Sequence, residues 1–254
     1  MAGKFTLVAF SESQDEAAAY AGVAGVVDQH VRVNGDTIYI PEEFPYIGQL
    51  LALTGATVPG TPYLDSPSLR AKALFDISPV SNLVLPTNDS EFVDRRLLPL
   101  KLKADEGLLA YSNANPAAAE YHSILVWLTD GILEPVKGDC FSVRFTAAIT
   151  TVAGAWTSGD ITLAQNLPSG RYAVVGANCH AAGGIAFRFI PKGYTNRPGA
   201  AMGQDVADHF HGIFRAGQFG KWFEFDHNNP PALEVLANAV ITAQTGYLDL
   251  VQIG

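Results

Sequence analysis

The stretch VRVNGDTIYI, residues 31–40, decides the fold class of this chain. Polar residues alternate with apolar or β-branched ones on both sides of an Asn34-Gly35 pair. Asn-Gly between alternating segments is the strongest short-range signal for a β-hairpin with a two-residue turn, because such turns require positive φ angles. The stretch therefore predicts two antiparallel strands.

Runs rich in apolar and β-branched residues continue along the whole chain, separated by clusters of turn-forming residues. They lie at residues 5–10, 69–75, 83–85, 97–102, 107–111, 121–129, 141–151, 161–164, 171–175, 185–190, 219–225, 233–241 and 247–253. With the two arms of the hairpin, the tally is roughly fifteen strands. This count predicts an all-β protein.

Two short helices are predicted in addition. The first begins at the capping box Ser13-Gln14-Asp15-Glu16 and continues into an alanine-rich run, which glycines weaken towards its far end. The second covers residues 42–54, where two glutamates open the segment, the apolar residues share one helical face and Gly55 follows as a stop. The short apolar face predicts a helix that lies over a sheet.

The strand tally divides near residues 133–139 into about eight strands before and seven after. Long connections rich in turn formers, such as residues 54–67, 86–96 and 191–214, suit a sandwich or a jelly roll. We therefore predict a jelly-roll β-sandwich, with a first jelly roll and the short helices in residues 1–136 and a second jelly roll in residues 137–254. A single elaborated jelly roll remains the alternative, since the chain is short for two full barrels.

Charge and composition restrict the classes of function. The chain has 254 residues, with 16 Lys plus Arg against 25 Asp plus Glu and a net charge of −9. Apart from Arg95-Arg96 the basic residues are scattered singly, which argues against binding of nucleic acid phosphates. The longest weakly polar run, residues 17–27, is about half the length of a membrane-spanning helix. These features predict a soluble protein made in a cytoplasm.

The histidine-rich stretch GQDVADHFHGIFRAGQFG, residues 203–220, is the strongest candidate for a metal site. Its Gly203 and its pair His209 and His211 resemble the first half of the cupin metal motif, in which two histidines on one strand reach the same ion. The acidic ligand of that motif is replaced here by Arg215 and Ala216, and a guanidinium cannot bind a cation. A histidine after a later Pro-x-Gly is also missing, and His227 lies in a turn-like segment. We predict that these histidines bind no metal.

Calcium is a second hypothesis for the loops. Asp226, Asn228 and Asn229, or Asp205 with Asp208, have the oxygen ligands that calcium prefers. Asp and Asn also form turns with their own backbone, and this interpretation is favoured.

The remaining candidates have structural explanations. His122 alternates with apolar residues within a predicted strand, which is typical of a partly buried histidine. Cys179 and His180 are neighbours on a strand and point to opposite faces, so they cannot form a thiolate pair. Cys140 and Cys179 are too few for a disulfide framework. The tryptophans are interpreted as core residues; they are Trp127, Trp156 and Trp222. The fragment GQFGK at residues 217–221 lacks the Ser or Thr of a phosphate loop. We predict no catalytic, cofactor-binding or metal-binding residue, and no enzymatic activity.

The second half of the chain carries a family resemblance. The segments LPSGRYAVVG (167–176), AFRFIP (186–191), RPG (197–199) and TGYLDL (245–250) resemble coat proteins of small tailless icosahedral bacteriophages. The resemblance implies a major capsid protein in which two jelly rolls stand upright in the shell and three copies form a six-sided capsomer. It implies assembly in the host cytoplasm and a final place in the virion.

The partners expected from this resemblance are further copies of the chain and other virion proteins, without direct nucleic acid binding. Contact with an internal membrane is left open. The segments expected to meet neighbouring copies are residues 54–67, 86–96 and 191–214 together with the predicted helix 42–54. An alternative is a carbohydrate-binding β-sandwich of lectin or fibre type, which would display tyrosine or tryptophan side chains on one solvent-facing patch. A cupin-like metal enzyme is the less favoured alternative.

Overall fold

The computed structural model describes residues 3–14, 20–54, 62–71, 75–76, 81–82, 93–113, 120–203 and 212–253. Its backbone is organised in antiparallel β-sheets with very little helix, so the predicted all-β class is confirmed. The chain separates into two compact units. The first unit is Val8–Gly131, and the second is Ile132–Gly254 together with Met1–Leu7. The predicted division at residues 136 and 137 stays a prediction.

The second unit contains eight strands after the N-terminal segment. They are β13 (Phe141–Ala147), β14 (Thr157–Leu163), β15 (Arg171–His180), β16 (Gly184–Ile190), β17 (Gly199–Ala201), β18 (Phe223–Asp226), β19 (Ala232–Ala237) and β20 (Gln244–Gln252). Neighbouring strands follow the order β17-β16-β19-β14-β13-β20-β15-β18. The first strand thus pairs with the eighth, the second with the seventh, the third with the sixth and the fourth with the fifth. This winding is that of a jelly roll.

The first unit has twelve described strands, several of them very short. They are β1 (Phe5–Gln14), β2 (Tyr20–Val23), β3 (Val33–Asn34), β4 (Thr37–Tyr39), β5 (Tyr46–Thr54), β6 (Tyr63–Asp65), β7 (Phe75–Asp76), β8 (Ser81–Asn82), β9 (Val93–Asp94), β10 (Leu100–Lys101), β11 (Gly107–Asn113) and β12 (Glu120–Thr129). One sheet has the order β1-β12-β5-β10, and the other contains β4-β11-β6-β7. Four strand pairs of the first unit therefore follow the same sequence as in the second unit: β1 with β12, β4 with β11, β5 with β10 and β6 with β7.

The hairpin predicted from residues 31–40 is present as β3 and β4. Asn34 pairs with Thr37, so the two-residue turn consists of Gly35 and Asp36 rather than of Asn34 and Gly35. Gly35 has a φ of 58°, which glycine adopts without steric cost. The prediction was correct for the strands and displaced by one residue for the turn.

The predicted helix over residues 42–54 is wrong. Its apolar part is the strand β5, which lies between β12 and β10 in the middle of a sheet. Side chains on both of its faces are buried, Leu50 in the core between the two sheets and Leu51 on the opposite face. A continuous apolar run is typical of a strand buried on both faces, and strand pairing here overrides the helix propensity of leucine.

The other predicted helix is also wrong where the structure describes it. Ser13, the predicted cap, belongs to β1, and Tyr20–Val23 form β2, while residues 15–19 lie outside the described residues. A helix does occur as α1 (Pro67–Arg70), in a region where residues 69–75 were predicted to form a strand. The Ser66 hydroxyl accepts a hydrogen bond from the Leu69 N–H at 3.1 Å, and proline occupies the first turn, both of which favour a helix start.

Candidate functional site

The histidine-rich stretch is only partly described. Asp205, Asp208, His209 and His211 lie outside the described residues. Gly203, which precedes them, bonds to β15: its N–H donates to the Cys179 carbonyl, and its own carbonyl accepts from the Ala181 N–H, both at 3.0 Å. The stretch thus begins at a point where the segment after β17 meets β15, inside the second unit.

The end of this stretch forms a strap, defined here as residues 212–220, which lies against β15 and β20. Arg215 donates two hydrogen bonds to the carboxylate of Asp249, from Nε at 2.6 Å and from Nη2 at 2.8 Å. The same carboxylate accepts from the Ala216 N–H at 2.8 Å and from the Ser142 hydroxyl at 2.6 Å. Arg215 and Ala216 occupy the positions at which a cupin has its acidic ligand. Here both residues bind an acid, Asp249, which the strand β20 supplies.

Asp249 is 1% exposed, and its charge depends on these donors. Burial alone would raise the pKa of Asp249, but the hydrogen bonds from Arg215, Ser142 and the Ala216 N–H outweigh burial and lower the pKa below its usual value. Gly176 faces this carboxylate across the ladder: a Cβ there would lie 2.7 Å from Asp249 Oδ2 and 2.7 Å from the Phe214 carbonyl. The strap, Ser142 and Asp249 thus form one hydrogen-bonded network, in which both carboxylate oxygens of Asp249 accept hydrogen bonds.

The loop around Asp226, to which the calcium hypothesis applies, has turn geometry. Asp226 Oδ1 accepts from the Asn228 N–H at 3.1 Å, and its carbonyl accepts from the Asn229 N–H at 2.7 Å. Nδ1 of His227 accepts from the Gly170 N–H at 3.3 Å. These contacts are those of an Asp-initiated turn, the interpretation favoured from the sequence. Lys221, the lysine of the phosphate-loop fragment, pairs with Glu224 at 2.6 Å.

The buried titratable residues are separated from one another by the strand geometry. Cys179 faces inwards opposite Gly246, whereas His180 is one register position further along and faces the other side of the sheet. Burial raises the pKa of the Cys179 thiol, so it stays protonated. His122 is buried beside the Ser112 hydroxyl at 3.4 Å, and burial lowers its pKa. Cys140 is exposed near Asp249, and its pKa is raised chiefly by desolvation.

The tryptophans divide into two groups. Trp127 and Trp222 are fully buried, as predicted for core residues. Trp156 is half-buried and lies beneath the guanidinium of Arg188, whose Cζ is 4.1 Å from the ring centroid. Arg188 is 1% exposed and binds Glu234 at 2.7 Å and the Leu7 carbonyl at 3.0 Å. The hydrogen bond from Arg188 to the Leu7 carbonyl attaches the N-terminal segment to the rest of the second unit.

Sequence reasoning missed a cluster of tyrosines on the first unit, which we call the tyrosine platform: Tyr20, Tyr63 and Tyr111. The rings of Tyr63 and Tyr111 are stacked, with centroids 5.0 Å apart and an interplanar angle of 15°. Tyr20 meets Tyr63 edge-on at 5.1 Å and is 50% exposed. The three residues come from β6, β11 and β2, on the face of the sheet opposite the buried Leu108 and Ala110.

Charged groups lie beside the platform. Arg70 of α1 pairs with Asp65 through both Nε and Nη2, and most of the Arg70 side chain is exposed. Burial, together with Tyr111 and Asp65, raises the pKa of Tyr63. The phenol is therefore protonated at neutral pH and can donate a hydrogen bond. The alternation of Leu108 and Ala110 with Leu109 and Tyr111 is the sequence signal that could have placed Tyr111 on an outer face.

Two general features of the described residues can be stated. Among them, no group of three or more His, Cys, Asp or Glu side chains is arranged to hold a metal ion. Over the same residues, neither helical segment has the length and apolar character of a membrane span.

Comparison with known proteins gives no family assignment. No family model matches the chain, and no curated protein matches it. Two solved structures are similar: the major capsid protein P2 from Bacteriophage PM2, at 12% identity and a TM-score of 0.26 over 98% of both chains, and a Paenibacillus xanthan lyase. The lyase has 10% identity and a TM-score of 0.25 over 96% of this chain and 24% of its own. Both similarities are too distant to identify a family, and the strand order described above is the stronger statement about the fold.

Proposed function

We propose that the chain is the coat protein of an icosahedral virus, a tandem of two jelly rolls that assembles with copies of itself. The observation that carries this proposal is the strand pairing of the two units: the second unit pairs its strands first with last, and four strand pairs of the first unit follow the same sequence. Two similar bodies in one chain allow a trimer to present six similar bodies around its axis. A six-sided building block can then tile a closed shell. The resemblance of residues 167–250 to bacteriophage coat proteins supports the same proposal.

A candidate contact surface lies at one end of the second unit, where two loops meet. The Thr151 N–H donates to the Ile241 carbonyl at 3.0 Å, and the Ile241 N–H donates to the Thr151 hydroxyl at 2.9 Å. These two hydrogen bonds join the loops that carry Val152 and Val240, which are 62% and 67% exposed. We call this pair the valine tip. Rigid exposed apolar groups are suited to burial between subunits.

The structure bears on two of the contact segments expected from the sequence. The proposed helix 42–54 is a buried strand and offers little outer surface. In residues 191–214, Asn196 and Arg197 are buried and bind the N-terminal segment, since Asn196 donates to the Phe5 carbonyl at 2.9 Å and the Arg197 N–H donates to Thr6 at 3.1 Å. Residues 55–61 and 83–92 lie outside the described residues.

The proposal places the protein in the virion after assembly in the host cytoplasm, with its own copies and other virion proteins as partners. It assigns a structural role without catalysis and without direct binding of nucleic acid. The net charge of −9 supports the last point, because an acidic surface repels phosphates.

The test is the self-association of the purified chain. Sedimentation velocity over a range of concentrations is expected to give trimers or larger assemblies for the wild type. Replacing Val152 and Val240 together by aspartate is expected to shift the distribution towards monomer, while the exposed valine at the other unit, Val27→Asp, serves as the matched control. A wild type that stays monomeric at every concentration would refute the coat function.

A specific observation also favours the second candidate, a carbohydrate-binding sandwich. Such a protein was expected to display clustered aromatic side chains on a solvent-facing patch, and the tyrosine platform has this character. Sugar binding and assembly are compatible in one chain. The platform is therefore a candidate binding site that is independent of the coat function.

A further inference from the structure

The stacked pair of the tyrosine platform has two unlike sides. On β6, the residue opposite Tyr111 is Tyr63, whose ring covers one face of the Tyr111 ring. On β2, the residue opposite Tyr111 is Gly22, which has no side chain. One face of the stack is thus occupied by an aromatic neighbour, and the other faces a register position whose residue has no side chain.

Polar groups border both sides of the stack. A Cβ built on Gly22 would lie 2.9 Å from Oδ2 of Asp36, an exposed residue in the turn between β3 and β4. The carboxylate therefore overhangs the position that Gly22 leaves open. Beside β6, the exposed guanidinium of Arg70 is fixed by its pair with Asp65. The aromatic surface thus lies between the acceptor oxygens of Asp36 and the donor groups of Arg70.

We propose that the tyrosine platform binds a polysaccharide chain, with one sugar ring stacked on the Gly22 side of Tyr111. A pyranose ring has an apolar face of C–H groups and a rim of hydroxyls. The apolar face packs on an aromatic ring, and the hydroxyls need donors and acceptors at the edges of the platform. Asp36 supplies acceptors on the Gly22 side, and Arg70 supplies a donor on the β6 side. A few precisely placed polar groups beside an apolar surface are typical of small-ligand sites.

A second copy of the chain is the competing occupant, and it fits the surface less well. A stable interface buries about 800 Å² on each partner around a central apolar cluster. The platform offers one tyrosine that is 50% exposed and two that are half-buried, with charged groups on both sides. This area suits a ligand one or two rings wide. The proposal goes beyond the coat function and does not depend on it.

The experiment is saturation-transfer difference NMR of the full chain with maltohexaose, cellohexaose and chitohexaose as probes. At least one probe is expected to bind the wild type, with saturation concentrated on the C–H groups of one ring. Tyr111→Ala is expected to raise the dissociation constant roughly tenfold or more. Since loss of Tyr111 could disturb the fold, Gly22→Val gives a second variant that keeps every tyrosine. It adds a side chain on the Gly22 side, the three atoms nearest its Cβ all belong to the flexible Asp36 side chain, and a β-branched residue suits a strand.

The matched control is Tyr247→Ala, which removes a tyrosine that is 39% exposed on the second unit. This variant is expected to bind the probe like the wild type. The proposal is overturned if no probe binds the wild type, or if Gly22→Val and Tyr111→Ala bind as well as the control. It is also overturned if these two variants change the sedimentation of the chain and leave sugar binding unaltered, since the platform is then an interface between copies. Sedimentation of the wild type tests the coat function separately.

Discussion

The strap of the second unit and the tyrosine platform of the first both place polar and aromatic side chains together on the outside of a sheet. In the strap, four donor groups converge on one carboxylate that is 1% exposed. In the platform, the central stack keeps a side that faces a glycine, and Tyr20 remains half exposed. A polar cluster whose groups are all used by one another serves the fold, whereas an aromatic cluster with an open side can serve a ligand.

The largest effect is expected from removing the Asp249 carboxylate, which binds the strap. Asp249→Ala leaves the half-buried guanidinium of Arg215 without its counter-charge and the Ala216 N–H without its acceptor. Removing one partner of a buried ion pair costs about 3 kcal/mol or more, and some exposure of Arg215 places the expected loss at the lower end. Urea unfolding monitored by tryptophan fluorescence measures this loss. A change below about 1 kcal/mol would mean that the strap is not held by this pair.

The next effect comes from the glycine beneath the strap. Gly176→Ala puts a methyl group against Asp249 and the backbone of residues 214–216, which cannot move without lifting the strap. We expect a destabilisation of about 2 kcal/mol from this overpacking. Gly212→Ala is the control within the same strap, since a Cβ there meets no atom of the described residues within 4 Å. Equal stability of the two variants would contradict the close approach described here.

The two units are expected to lose stability in different pH windows. His122 in the first unit has a pKa lowered by burial, so the unfolded chain binds a proton more readily than the folded chain. Its contribution is complete above the unfolded value of about 6.5 and falls as pH drops through that value. Asp249 in the second unit also has a lowered pKa, so its contribution is lost only below about 3.9.

Urea unfolding at pH 7.5, 5.5 and 3.5 measures this difference. The first two values lie about one unit above and below the reference pKa of His122, and the third lies just below that of Asp249. Replacing His122 by glutamine is expected to reduce the change between the first two values. Asp249→Asn is expected to reduce the change between the last two. Identical pH profiles for the two variants would contradict the separate windows.

The smallest effect is expected at the platform. Tyr20→Ala removes a side chain that is 50% exposed, and its loss should change the free energy of unfolding by about 0.5 kcal/mol or less. Thermal unfolding followed by circular dichroism measures it. A loss comparable to that of Gly176→Ala would show that the platform serves the fold as the strap does.

The sequence predicts the strands better than the contacts between them. The hairpin at residues 31–40 and the alternating strand β13 follow local patterns, in which every second residue of β13 is buried from Val143 onwards. The segment of β5 was assigned to a helix because leucine favours both structures and only pairing with β12 decides between them. The role of Arg215 depends on an acid 34 positions away, which no local pattern indicates.

Electron microscopy of the purified chain at high concentration tests the proposal that two similarly wound units in one chain build a six-sided subunit of a shell. The account predicts particles with threefold symmetry and a six-sided outline, alone or joined into sheets and closed shells. A uniform population of single molecules that form no larger particle would contradict it.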